Sequence, residues 1–69
     1  MKLGWKQKKL LAKGLSEIGV EKKDFGKLYK DKPEHEVEKL EFAGLLAQDK
    51  EVKGRYRTTN LGRDYLREK

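Results

Sequence analysis

The stretch "LLAQDKEVKGRYRTTNLG", from Leu45 to Gly62, constrains the fold more than any other. Leu45 and Leu46 begin a strand, Glu51 to Gly54 supply a bend, and Arg55 to Thr58 return. Gly54 provides the positive φ that such hairpins often need. Thr59 or Thr58 then N-caps a final helix through "LGRDYLREK", with Leu61, Tyr65 and Leu66 predicted on its inward side. Four cations, Lys50, Lys53, Arg55 and Arg57, surround the bend.

The chain before this hairpin reads as helical. Leu11, Leu15 and Ile18 sit at i, i+4 and i+7, predicting a helix over roughly residues 4 to 18 with these side chains inward. Gly19 is its expected left-handed terminator, Gly14 is expected to mark close packing, and Trp5 to cap the core. "KKDFGKLY" predicts a second helix, with Asp24 near its start and Phe25, Leu28 and Tyr29 facing in. Asp31 followed three residues later by Glu34 matches a capping box, and Pro33 suits a first helical turn. A third helix thus runs from about Lys32 to Ala43 and ends at Gly44. The expected order is helix, helix, helix, hairpin, helix, with Val20 the one candidate for a further short strand. This is a single α+β domain spanning residues 1–69. A chain of this size buries only about 60% of the surface its unfolded form exposes, so its core is small.

Charge narrows the function. Charged residues make up 43% of the chain and the formal net charge is +6. The charge is segregated into blocks. Residues 1–33 carry ten lysines against Glu17, Glu21, Asp24 and Asp31. Residues 34–52 are net acidic through Glu34, Glu36, Glu38, Glu41, Asp49 and Glu51, and residues 53–69 are basic again. Two basic blocks favour a polyanionic partner, nucleic acid above all. The chain has no cysteine, which excludes disulfides and thiolate chemistry. It has neither an apolar run near the roughly 20 residues of a membrane span nor a signal-like apolar stretch after "MKLGWKQKKL". The expectation is a soluble cytoplasmic domain with no membrane role.

Two motifs carry a family resemblance. "VEKLEFAGLL", with Val37, Leu40, Gly44 and Leu45, resembles the end of a winged-helix recognition helix. "YRTTNLGRDYL" resembles the return strand of the wing and the Thr-x-x-Gly helix start that follows it, here Thr59 and Gly62 with Leu66 in the next turn. "DFGKLY" fits the second helix of such a unit more loosely. The chain is similar, over about residues 8 to 66, to the winged helix-turn-helix DNA-binding domains of small bacterial and archaeal regulators. That resemblance implies docking on double-stranded DNA, with the third helix at the major groove and the hairpin along the backbone or minor groove. Lys50, Lys53, Arg55 and Arg57 would then reach phosphates, with Lys32, His35 and Lys39 on or beside the third helix.

The third helix also supports a different role. At about 100° per residue, Val37, Leu40 and Gly44 share one side, while His35, Glu38 and Lys39 lie opposite. Four glutamates on one helix oppose phosphates of like charge. Phe42 falls about 140° from Val37, away from the core, and completes a stripe with His35 and Lys39. The alternative expectation is a protein-interaction module, docking a partner or a second copy through Phe42 and Glu38. Neither a catalytic constellation nor a phosphate loop is recognisable. His35 alone offers too few ligands for a metal. No cofactor, small-molecule substrate or enzymatic activity is expected.

Overall fold

The computed structural model describes residues 2–67. Its elements are α1 (Trp5–Gly14), β1 (Val20–Glu21), α2 (Lys22–Leu28), α3 (Pro33–Phe42), β2 (Leu46–Gln48), β3 (Arg55–Thr58) and α4 (Asn60–Arg67). The three strands form an antiparallel sheet in the order β1-β3-β2. Val20 pairs with Tyr56, and Leu46 with Thr58, so the strand that returns from the hairpin is the central one. Glu68 and Lys69, placed in the final helix by the sequence, lie outside the described residues.

The core is built from Leu10, Leu11, Val20, Phe25, Val37, Leu40 and Leu46, one or two from each element before the bend, with Leu45 from the joint before β2. Tyr29, Tyr56, Tyr65 and Leu66 pack against it from the sides. The joint between α3 and β2 follows from its sequence. The Gly44 amide donates to Glu41 O and the Leu45 amide to Leu40 O, both at 3.0 Å, which is the double closure of a Schellman motif. Gly44 supplies the required φ of +79°, and Leu40 and Leu45 are both buried beside the turn. Thr59 begins α4 as expected, its hydroxyl accepting from the Gly62 amide at 3.1 Å.

Five expectations need correction. α1 stops at Gly14, four residues short, so Leu15 and Ile18 fall in the following turns and are exposed, Ile18 at 68%. Its inward side is Leu10, Leu11 and Gly14 instead. Gly19 does take a φ of +72°, but in the connection to β1 rather than at the helix end. Trp5 does not cover the core; it is exposed, with the Lys6 ammonium 5.8 Å from its ring. The Asp31–Glu34 capping box does not form: Lys32 occupies the N-cap at a φ of 52°, with no side-chain cap. Lys32 makes the reversal in a left-handed conformation, uncommon for a residue other than glycine. Leu61 also lies outside the inward side of α4, where Gly62 is the buried residue.

Gly14 and Gly62 are core residues because they have no side chain. A Cβ on Gly14 would stand 3.0 Å from the Thr58 amide nitrogen and closer still to its hydroxyl. One on Gly62 would meet Leu45 O at 2.5 Å and Thr58 Cγ2 at 2.6 Å. The neighbour at Gly62 is backbone, which cannot swing aside. Gly62→Ala should therefore destabilise the fold by about 2 kcal/mol through overpacking. Urea denaturation monitored by far-UV circular dichroism measures this, and an unchanged midpoint would contradict the close packing.

Candidate functional site

Two groups of side chains stand out. One surrounds the β2–β3 bend; the other lies on the outer face of α3.

Asp49 organises the bend. Its Oδ1 accepts from the amides of Glu51 at 2.7 Å and Val52 at 3.3 Å, a local turn that Asp favours. Oδ2 accepts from Arg57 Nε at 3.0 Å and lies 3.8 Å from Arg55 Nη1. Arg57 goes further and donates through Nη1 to Ser16 O at 3.0 Å and through Nη2 to Glu17 O at 2.9 Å. The guanidinium thus ties the central strand to the turn after α1 and to the hairpin. Arg55 lays its aliphatic stem over Gly19, where an added Cβ would be 2.8 Å from Cγ, and its Nε is buried without a partner. The two arginines expected at phosphates are engaged within the chain. Lys50 and Lys53, at the bend itself, are exposed and in no ion pair among the described residues.

The α3 group differs in character. His35, Glu38, Lys39, Glu41 and Phe42 line one shallow groove along the helix. Phe42 is 96% exposed, so the ring neither folds under the hairpin nor packs on α1. Lys39 lies 3.4 Å from Glu36, one turn back, a contact of small worth at this exposure. Lys32 is exposed just before the helix. Burial first, then the charges of Glu41 and Glu38, raise the Tyr56 phenol above its ordinary pKa. The His35 end of the helix is linked to Lys32 through a backbone bond, His35 N to Lys32 O at 3.1 Å.

A third group lies on α1, whose lysines the sequence suggests as a second basic side. Lys6, Lys9 and Lys13 recur at i, i+3 and i+7 on the side of α1 that faces α2. Lys6 donates to Leu28 O at 2.9 Å, covering the end of α2, and lies 5.1 Å from the Tyr29 ring. Lys13 pairs with the buried Asp24 at 2.6 Å. Asp24 also accepts from the Glu21 amide at 2.9 Å, which closes the start of α2. The helical spacing of the lysines was the available signal. Among the described residues no group of three or more His, Asp or Glu is arranged to hold a metal, and no helix is long and apolar enough to cross a membrane. Comparison of the chain with protein-family models, with curated proteins and with solved structures finds no match.

Two outcomes follow from these contacts. Arg57→Ala removes three hydrogen bonds from a half-exposed guanidinium and should cost about 1–2 kcal/mol, measured by urea denaturation. Acid should act through the carboxylates. Burial alone raises the Asp24 pKa, but the Lys13 hydrogen bond, the Glu21 amide and the charges of Lys13 and Lys27 outweigh it and leave it lowered. The Glu51 amide, then Arg57 and the Val52 amide, against some burial, lower Asp49. A lowered folded pKa gives stability that is full above the unfolded value of about 3.9 and is lost as pH falls through the folded one. Stability should thus be flat between about pH 5 and pH 9 and fall below about pH 4, and Asp24→Asn should flatten that fall. An equally steep acid limb in Asp24→Asn would exclude Asp24 as a contributor.

Proposed function

We propose that the chain is a winged helix that binds double-stranded DNA, as a small transcriptional regulator. The observation that carries this reading is the topology. The order α1-β1-α2-α3-β2-β3, with the strands arranged β1-β3-β2, is the arrangement expected of such a domain, and it leaves a hairpin with two free lysines at its bend. In this reading the hairpin is the wing, and Lys50 and Lys53 contact phosphates. Arg55 and Arg57 hold the wing in place through Asp49 and the turn after α1. Lys32 and His35 are the groups at the start of α3 that can approach the duplex, although Glu34 and Glu36 share that turn, and Glu38 and Glu41 add repulsion further along. Binding of this kind is dominated by phosphate contacts rather than by base readout.

Phe42 favours a second reading, in which α3 docks on a protein. An aromatic ring exposed at 96% on a helix in so small a domain suits a partner contact. The two readings make different use of α3 and are separable.

Random-sequence duplex binding tests the first. Each phosphate neutralised contributes about −0.9 to the slope of log K against log[salt], so Lys50 and Lys53 together should contribute about −1.8. Lys50→Ala with Lys53→Ala should flatten the slope by that amount and weaken binding to all sequences alike. An unchanged slope in the double variant would remove the hairpin from the interface. Absence of duplex binding by the unaltered chain at low salt would leave the protein-docking reading.

A further inference from the structure

We infer that the chain associates with copies of itself head to tail, Phe42 of one molecule entering a cleft between α1 and α2 of the next. The protruding half of this contact is on α3. Phe42 projects into solvent with Glu41 beside it in sequence and Glu38 one turn back on the same groove. Lys39 lines the same groove but is paired with Glu36 at 3.4 Å, whereas Glu38 and Glu41 make no ion pair among the described residues. An apolar ring with two unpaired carboxylates at its base calls for an apolar recess with a basic rim.

The same molecule has one. Between α1 and α2 lies a cleft of about 230 Å³, bounded by Leu10 and Leu28 and edged by Lys9, Lys13 and Lys27, with Asp24 at one side. A cavity of about 150 Å³ is enough to take up a benzene ring, so a phenyl side chain fits the available space. Asp24 is neutralised within the cleft by Lys13, at 2.6 Å. Lys9 and Lys27 are exposed and make no ion pair among the described residues. Two carboxylates on the knob therefore face two free ammonium groups on the rim. The alternative, α3 against α3 across a two-fold axis, brings Glu38 and Glu41 of both copies together. Charge favours the unlike pair of surfaces.

A contact between two different surfaces leaves each molecule with one knob and one cleft unused. It is heterologous and extends to rings or open chains. The buried surface is small, so association belongs to the weak, transient class. It does not depend on DNA, and the test contains none.

Sedimentation velocity of the full chain, at low salt and from micromolar to millimolar concentration, should show a sedimentation coefficient that climbs with concentration. In roughly 1 M salt, where the screening length is about 3 Å, the climb should diminish. Phe42→Ser, and separately Lys9→Glu with Lys27→Glu, should each weaken self-association by about tenfold or more. All these positions are exposed, and circular dichroism verifies that the variants fold. The decisive sample is the equimolar mixture. Phe42→Ser retains a cleft and the lysine variant retains a knob, so the mixture should form a one-to-one dimer that grows no further. A wild-type chain that stays monomeric throughout overturns the inference. So does a mixture of folded variants that stays monomeric, or a variant that associates as the wild type does.

Discussion

The placement of Thr58 is the constraint on which the other elements depend. It ends the central strand in a slot bounded by Gly14 of α1 and Gly62 of α4, and its hydroxyl donates to Leu11 O at 2.6 Å. The next residue completes the joint. The Thr59 amide donates to Leu45 O at 3.0 Å, and its hydroxyl bonds Gly44 O at 2.6 Å while capping α4. Four elements thus meet on two consecutive threonines. Side chains at either glycine would separate the helices from the sheet, and a core of eight buried side chains has little surplus to offset that.

The hairpin shows why net charge is a poor guide to free charge. Four cations surround the bend, but Asp49 and two backbone carbonyls hold Arg57, and Arg55 is partly buried over Gly19. What remains for a partner is Lys50 and Lys53. Guanidinium groups suit the internal role, since one planar fork can satisfy a carboxylate and two carbonyls at once. Ammonium groups at the bend stay hydrated and mobile, suited to tracking phosphates without fixed geometry. At α1 the split falls within one residue type, since Lys6 and Lys13 are engaged internally and Lys9 makes no ion pair among the described residues.

How far the sequence could be read depended on the kind of residue. Turn and cap residues act locally, so Pro33 at the first turn of α3, Gly44 after it, Gly54 in the bend and Thr59 before α4 were all legible. The third strand at Val20 was legible for a similar reason, as an apolar residue isolated between two helical patterns. Gly14 marks close packing as its place inside the helix suggests, but hydrophobic spacing carried the helix past it to Leu15 and Ile18. Leu11, Leu15 and Ile18 make a better apolar stripe than Leu10, Leu11 and Gly14, yet the second is the buried one. A glycine needed for close approach has no apolar signature. The contacts of Arg57 were not legible at all, since Ser16 and Glu17 lie about forty positions away and offer only backbone oxygens. The exposed side of α3 was given by the helical wheel, which set Phe42 away from the core, but a wheel could not say whether another element covered the ring.

The acidic α3 is the remaining tension in a chain of net charge +6. Phosphates and the carboxylates of Glu38 and Glu41 are both anions, but the proposed contacts use different lysines, Lys50 and Lys53 at the bend for phosphate and Lys9 and Lys27 at the cleft for a second copy. Salt screens both. The phenyl ring distinguishes them. Apolar burial does not depend on counterions, so Phe42 contributes to a protein contact at ionic strengths that abolish phosphate contacts. An aromatic flanked by glutamates adds nothing to affinity for a duplex and subtracts from it through repulsion. Its position on the most exposed side of the helix makes sense for a surface selected to meet a basic, partly apolar recess. In the readings proposed above, Phe42 and its flanking glutamates are the protein-facing part of the third helix, and the hairpin lysines are the main contact with nucleic acid.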